Sequence, residues 1–115
     1  MFTTKKKKIK KYLEQKADDN KCAFDILLSD YLNGSLKEDL ASIEIKKADI
    51  HIDWLDDLKC IGIQGRYKEY YMDLQIYPNE FSISFDLDEP DDDIIYSLES
   101  KKQVYSVIAN MIKSL

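Results

Sequence analysis

The sequence has few of the residues that interrupt or cross-link a chain: its 115 residues include two cysteines, two prolines, three glycines and one histidine. So little proline and glycine argues against a loop-rich or low-complexity protein. Cys22 and Cys60 are far apart and do not have CxxC spacing. We therefore expect two reduced thiols that serve as small apolar side chains, rather than a disulfide.

Long apolar runs are also missing. No stretch approaches the roughly 18 apolar residues of a membrane span. The chain begins with a lysine run and an amphipathic segment, without the apolar core of a signal peptide. We therefore expect a cytoplasmic protein that makes no contact with a membrane.

Catalytic motifs are scarce as well. The sequence has no glycine-rich phosphate loop, no G-x-S-x-G elbow and no zinc cluster. Asp49, His51 and Asp53 share one face of a predicted strand, which leaves a metal or acid–base site open. Nothing supplies a nucleophile or further nitrogen ligands, so a solvated strand face is the preferred interpretation.

Two further patterns match catalytic sites only in part. Cys60 falls on the same predicted face as His51, but a reactive thiolate needs an electropositive setting and this face is acidic. Glu44-Ile45-Lys46 has the E-x-K form of a large nuclease family, whereas the upstream acid, Asp39, falls in a predicted helix. We predict that the protein is not an enzyme and holds no cofactor and no metal.

Length and charge point to one globular domain, residues 1–115, with an acidic body. The net charge is -5, but residues 1–17 hold seven lysines and one glutamate, or +6, so the other 98 residues carry -11. We predict that residues 1–17 form a lysine-rich helix with a solvated face, rather than a tether for nucleic acid or an anionic surface. The acidic body is unsuited to nucleic-acid phosphates and suits a basic protein partner.

The clearest local pattern is a pair of alternating runs between Tyr70 and Asp93. In the first run the two faces carry Tyr70, Met72, Leu74 and Ile76, and Tyr71, Asp73, Gln75 and Tyr77. In the second run Phe81, Ile83, Phe85 and Leu87 oppose Ser82, Ser84 and Asp86. Pro78-Asn79-Glu80 supplies a turn, so the pattern predicts an antiparallel hairpin with one buried face.

Three more segments are predicted as strands. Ala48–Trp54 and Lys59–Tyr67 alternate before the hairpin, with Gly65 allowing a bend or bulge, and Ile94–Leu98 is a candidate short edge strand. Strands in this sequential order most simply form an antiparallel meander of four or five strands.

Helical spacing surrounds these strands. Residues 20–33 are predicted as a helix, capped by Asp18-Asp19-Asn20 and ended by Asn33-Gly34. Capping-box patterns at Ser35/Glu38 and Ser100/Gln103 predict helices over about 36–42 and 101–114. The fold class is therefore α+β, a two-layer sandwich with the helices on one face of the sheet and the other face exposed.

The exposed face and the acidic stretch beside it are the candidate site. Six carboxylates fall within eight residues: Asp86, Asp88, Glu89, Asp91, Asp92 and Asp93. Calcium favours six to eight oxygens, but the stretch lacks an EF-hand glycine and closing glutamate, and Pro90 interrupts it. The other interpretations of this stretch are a solvated loop and a docking surface for a partner's lysines and arginines.

Tyrosines accompany these carboxylates. Eight occur in the chain, and Tyr71 and Tyr77 fall on the polar sheet face with Asp73 and Gln75. Tyrosine is enriched at interfaces because it offers a large contact area at low entropy cost, although exposed strands also favour it. We expect the partner-binding surface to extend to three more acids in nearby turns, which are Asp56, Asp57 and Glu69.

The chain resembles the small bacterial immunity proteins that neutralise polymorphic toxins, including those of contact-dependent growth inhibition. The resemblance is carried by ADIHIDW, IGIQGRYKEYYMDLQIYP, FSISFDLDEPDDD and LESKKQVYSVI. It implies a non-catalytic cytoplasmic protein that binds one cognate toxin, often a nuclease with a basic cleft. It carries no site residue over position by position.

The sequence thus predicts a protein that binds a basic toxin domain, such as a nuclease, through an acidic, tyrosine-bearing surface. We expect a monomer with no direct contact with nucleic acid. Two alternatives stay open: a small metal-dependent enzyme, and a structural or adaptor module whose tyrosine face pairs with itself.

Overall fold

A computed structural model describes residues 7, 9, 11, 22–86 and 94–115 of the chain. They form a five-stranded antiparallel sheet in the order β1-β2-β3-β4-β5, covered on one face by helices. The strands are β1 (His51–Leu55), β2 (Cys60–Tyr67), β3 (Tyr70–Ile76), β4 (Glu80–Asp86) and β5 (Ile94–Ser97). The helices are α1 (Ala23–Asn33), α2 (Ser35–Ser42) and α3 (Lys101–Lys113). The predicted α+β meander is confirmed.

The lysine-rich N-terminal helix lies mostly outside the described residues. Lys7, Ile9 and Lys11 are helical, with Ile9 buried and both lysines exposed. Ile9 belongs to the hydrophobic core, so this part of the lysine-rich segment packs on the body of the protein.

The central hairpin forms as predicted. Register pairs run from Ile76↔Phe81 to Tyr71↔Asp86, and the Tyr77 N–H donates to the Glu80 carbonyl at 2.7 Å. Pro78 and Asn79 form the turn between these residues, which are positions where proline and asparagine are both favoured.

The core lies between the helices and alternate residues of the strands. Period-two burial places one side of each strand inward, and helical spacing places one stripe of each helix against it. Fully buried side chains from both layers include Phe24, Leu27, Leu28, Leu40, Ile61, Ile63, Met72, Leu74, Phe81 and Ile108. Phe24 contacts Trp54 with ring centroids 6.2 Å apart, which joins α1 to the edge strand β1.

Gly65 does not produce the expected bend or bulge. It pairs regularly with Met72 in β2 and β3. A Cβ atom at this position would lie 2.7 Å from Cγ2 of Ile45, which is buried in the core. The absent side chain therefore lets Ile45 pack against the β2 backbone.

The first helix starts later than its sequence pattern suggested. α1 begins at Ala23 with Cys22 as its N-cap, and the Cys22 N–H donates to Asp25 Oδ2 at 3.2 Å. The predicted cap, Asp18-Asp19-Asn20, lies outside the described residues and does not begin α1, because Cys22 is the N-cap and Asp25 accepts its N–H from inside the first turn. Cys22 is exposed and Cys60 is buried, and both thiols are free, so only Cys60 acts as a small apolar side chain.

The caps of the other helices differ in outcome. Ser35 is the first residue of α2, and it donates to Asn33 Oδ1 through its N–H and its hydroxyl, so the Ser35/Glu38 capping box does not form. The Ser100/Gln103 capping box at α3 does form.

The segment before β1 also departs from its predicted conformation. Lys47–Asp49 is a turn of 3-10 helix, and the strand begins only at His51. The predicted strand Ala48–Trp54 therefore starts three residues too early. Among the described residues, no helix has the length and apolar character needed to cross a membrane.

Candidate functional site: the open face of the sheet

One face of the sheet carries the strand side chains that point away from the core. We call it the open face. Its residues are His51, Asp53 and Leu55 of β1, Cys60, Gly62, Gln64 and Arg66 of β2, Tyr71, Asp73 and Gln75 of β3, Glu80, Ser82, Ser84 and Asp86 of β4, and Ile95 and Ser97 of β5. Alternation along each strand and the register between strands place them together.

Tyr71 lies between two opposite charges. Arg66 is its register partner on β2 and Asp86 is its partner on β4. The tyrosine side chain is 37% exposed, which is high for a ring in the middle of a sheet. The predicted site residues Tyr71 and Asp86 are therefore direct neighbours on adjacent strands.

Asp73 and Gln75 occupy the centre of the open face. Asp73 lies between Gln64 and Ser84, and Gln75 is the register partner of Ser82. Both side chains are half-buried. This central part of the open face is polar, because serine and glutamine side chains lie beside it on the flanking strands.

Tyr77 and Cys60 close the far end of the open face. The Tyr77 hydroxyl donates to Gln75 Oε1 at 2.8 Å. Burial raises the pKa of the Cys60 thiol, and a hydrogen bond with Tyr77 opposes part of that rise. Burial and the neighbouring Cys60 both raise the pKa of Tyr77. A raised pKa disfavours the reactive thiolate form of Cys60.

The candidate dyad of Cys60 and His51 does not form. Leu55 is the register partner of Cys60, whereas His51 pairs with Gln64. His51 is four residues from Leu55 along β1, a distance of about 13 Å. The two groups are therefore too far apart to share a proton.

The acidic turn residues lie at opposite ends of the sheet. Asp56 and Asp57 follow β1 in the turn before β2, and Glu69 lies in the turn after β2. Asp56 accepts hydrogen bonds from Trp54 Nε1 at 3.2 Å and from Lys59 Nζ at 3.3 Å, while Asp57 is exposed. A partner that contacted both turns would span about 23 Å along β2.

Five acids of the candidate site lie outside the described residues. These are Asp88, Glu89, Asp91, Asp92 and Asp93. In the chain they connect Asp86, the last residue of β4, to Ile94, the first residue of β5. The described part of the surface therefore ends at Asp86, beside Tyr71.

The proposed metal ligands are not arranged as their sequence pattern suggested. Asp49 belongs to the 3-10 turn, whereas His51 and Asp53 are on β1. Within the described ranges, no group of three or more His, Cys, Asp or Glu side chains is placed to hold a metal ion.

The E-x-K pattern also occupies unsuitable positions. Glu44 has a left-handed conformation, with φ of 73°, directly after α2, where its N–H donates to Ala41 and that of Ile45 donates to Leu40. These bonds form the C-terminal cap of the helix. Ile45 is buried, so the segment is a helix end and not a catalytic strand.

A charged cluster joins the three helices on the other side of the molecule. Lys101 of α3 forms ion pairs with Asp30 of α1 and with Asp39 of α2, the latter at 3.3 Å. The Tyr105 hydroxyl donates to Asp39 Oδ2 at 3.2 Å. Asp39, Lys101 and Tyr105 border a groove of about 690 Å³ that also has Ile26 in its wall. The polar atoms of the cluster bind one another, so the cluster holds the three helices together.

This cluster predicts a loss of stability at alkaline pH. The hydrogen bond with Asp30 raises the pKa of Lys101 above its ordinary 10.5, and burial raises the pKa of Tyr105 above its ordinary 10.0. The folded protein therefore keeps both protons at pH values where the unfolded chain releases them. The free energy of unfolding must then fall as the pH rises above about 10. The pKa values of Cys60 and Tyr77 are also raised, so these groups contribute in the same direction.

Urea denaturation at a series of pH values between about 8 and 11 measures this dependence. Replacing Tyr105 with phenylalanine is expected to make the alkaline fall shallower, because one of the linked protons is removed. Identical slopes for the variant and the unaltered protein would show that Tyr105 does not contribute.

Several residues of the open face were not singled out from the sequence, among them Leu55, Glu80 and Ile95. Alternation within each strand was available as a signal, but a four-residue strand such as β5 is too short to show which of its faces is covered. Ile95 matters most, because 64% of its side chain is exposed.

Comparison of the chain with protein-family models, with curated proteins and with solved structures found no match. The functional proposal therefore depends on the residues and the geometry of this chain alone.

Proposed function

We propose that this protein is an immunity, or antitoxin-type, protein that binds and neutralises a basic toxin domain of the nuclease type. The observation that carries the proposal is the open face, where Tyr71 and four carboxylates, those of Asp53, Asp73, Glu80 and Asp86, occupy one side of the sheet. No described helix covers this face, and the acidic segment 86–93 continues from it in the chain.

Electrostatics favour a basic partner. Residues 22–86 contain thirteen aspartates and glutamates against six lysines and arginines. A nuclease holds nucleic-acid phosphates with lysine and arginine side chains, so an acidic surface complements the same groups. Long-range attraction between the two proteins also accelerates their encounter at low ionic strength.

The dimensions of the open face suit a protein partner. The five strands contain 31 residues, which at the usual rise and strand spacing cover about 500 Å² before side-chain relief is added. The open face can therefore supply a large part of the roughly 800 Å² that each partner buries in a standard interface. Exposed Tyr71 provides an aromatic contact on that area, of the type that dominates interface energies.

Capture and neutralisation test the proposal. The tagged full chain, used as bait in cells of the source organism, is expected to retain a basic protein whose expression alone stops growth. Co-expression of this chain should restore growth, and raising the salt concentration should weaken the purified complex. A captured protein that is not toxic, or that stays toxic in the presence of this chain, would contradict the function.

The contribution of the acidic surface has its own prediction. Reversing Asp91, Asp92 and Asp93 to lysine is expected to weaken binding to that toxin at least tenfold and to abolish protection, because like charges would then meet across the interface. An unchanged thermal stability would show that the loss of binding does not come from unfolding.

A matched control reverses the same number of charges elsewhere. Glu38, Glu44 and Glu99 are exposed and lie in or beside the helices. Their reversal to lysine changes the net charge equally, so the electrostatic attraction of the whole molecule falls by the same amount. The control should retain protection. Equal losses in both variants would mean that net charge alone, and not the acidic surface, determines binding.

A further inference from the structure

The edge strand β5 has neither a charge nor a proline, two of the features that commonly protect the edge of a sheet. Its sequence is Ile94-Ile95-Tyr96-Ser97, without a charge, in a chain in which 34% of the residues are charged. The other edge strand, β1, carries His51 and Asp53. Ile94 and Ile95 are 48% and 64% exposed. Proteins normally protect edges with charges or proline, so an uncharged, apolar edge is suited to pairing with another strand.

Hydrogen bonding shows which backbone groups face that edge. The Leu98 N–H donates to the Asn79 carbonyl at 2.9 Å, which continues the β4–β5 register by one pair. In an antiparallel pair, residues alternate between those whose N–H and C=O point to the neighbouring strand and those whose groups point away. The N–H and C=O groups of Ile94 and Tyr96 therefore point to β4, whereas those of Ile95 and Ser97 point outward.

One outward group is already occupied. The Gln103 side-chain amide donates to the Ser97 carbonyl at 2.9 Å. Ile95 is therefore the described residue of β5 that presents both its N–H and its C=O to the outside. An incoming strand can form a complete pair of hydrogen bonds only opposite Ile95, which determines its register.

We propose that β5 pairs with β5 of a second copy of this chain, antiparallel, with Ile95 opposite Ile95 of the partner subunit. This register is symmetric, as a twofold dimer requires. It places Ile94 opposite the partner's Tyr96 on the helix side of the sheet, where both side chains are apolar or aromatic. The two exposed Ile95 side chains meet on the open face. No like charges lie directly opposite each other in the paired residues 94–96.

The proposal departs from the expectation of a monomer and does not depend on toxin binding. A four-residue strand buries much less than the roughly 800 Å² per partner of a stable interface, so the dimer is weak. Each chain carries a net charge of -5, so salt should strengthen the dimer by screening the repulsion between the subunits. The complex with a basic toxin has the opposite salt dependence, which separates the two interactions experimentally.

Analytical ultracentrifugation of the full chain tests the pairing. The average mass is expected to rise from 13.5 kDa toward twice that value as the concentration increases from about 10 μM to about 1 mM, and to rise further at high salt. A mass that stays at that of one chain over this range, at low and at high salt, would overturn the proposal. Pairing of β5 with a strand of a foreign protein would then be the alternative.

Substitutions at Ile95 separate pairing at β5 from other contacts. Ile95→Pro removes an N–H that the β4–β5 ladder does not use, so the fold tolerates it while the dimer is lost. Ile95→Val keeps the N–H and the strand preference and should still dimerise. Ile95→Lys keeps the backbone but places two ammonium groups opposite each other, so it should also be monomeric even if the proline variant fails to fold. Dimerisation of Ile95→Lys to the same extent as the unaltered chain would exclude β5 as the interface.

Discussion

Replacing Phe81 with alanine is expected to lower the free energy of unfolding by about 3–5 kcal/mol. Phe81 is fully buried in β4, opposite Ile76, and its ring stacks on Tyr96 of β5 with centroids 5.2 Å apart. The truncation removes the apolar burial of a whole ring and leaves a cavity between the sheet and the helices. It also removes the ring contact that joins β5 to the rest of the sheet.

Denaturation by urea, followed by far-UV circular dichroism and tryptophan fluorescence, measures the loss. Small domains are commonly stable by about 5–15 kcal/mol, so the variant loses a large fraction of its stability and is expected to unfold at a clearly lower urea concentration. Phe85→Ala is the matched control, because Phe85 is on the same strand and the same face but is only half-buried. Its cost should be clearly smaller. Equal costs would mean that the core does not centre on Phe81.

Replacing Gly65 with alanine is expected to destabilise the protein by about 1–3 kcal/mol, the usual cost of overpacking. A glycine-to-alanine change in ordinary strand conformation would normally stabilise slightly, because it restricts the unfolded chain. Here the new Cβ would lie 2.7 Å from Cγ2 of Ile45 and 3.5 Å from Cε of Met72. Ile45 is buried, so it cannot move away without disturbing the core.

Gly62→Ala is the control for this prediction. Gly62 lies on the same strand, where an added Cβ would lie 3.3 Å from Cδ1 of Leu55, a half-buried side chain with room to rotate. Its stability should change little. A double-mutant cycle with Ile45→Ala tests the cause, since Gly65→Ala should cost less once the clashing methyl is gone. A cost that is independent of Ile45 would refute the proposed contact.

Patterns within a few residues predicted most of the strands and helices correctly. The alternation of residues 70–86 identified β3 and β4, because a half-buried strand imposes period two on its sequence. Pro78 and Asn79 located their turn, and Ser100 with Gln103 located the start of α3. These features depend on neighbours in the chain, which are visible in the sequence.

The wrong predictions occur where two local signals compete, or where a residue distant in the chain determines the local structure. By composition, Asp18-Asp19-Asn20 is a favourable N-cap. The N-cap of α1 is nevertheless Cys22, together with Asp25 in the first turn. Asp49 continued an alternating pattern, yet it lies in a 3-10 turn. Gly65 suggested a bulge, because nothing in the neighbouring sequence indicates that Ile45 packs on it.

The sequence by itself determined the α+β class, the order of the strands, the acidic body and the carboxylates of the candidate surface, because periodicity, turn residues and charge are properties of short segments. Only the tertiary structure decided which residues that are distant in the sequence lie next to each other. It placed Tyr71 between Arg66 and Asp86 and separated Cys60 from His51. It also directed the backbone of Ile95 to an open edge. The physical reason is that strand register and helix packing depend on the whole core, whereas propensity depends on near neighbours.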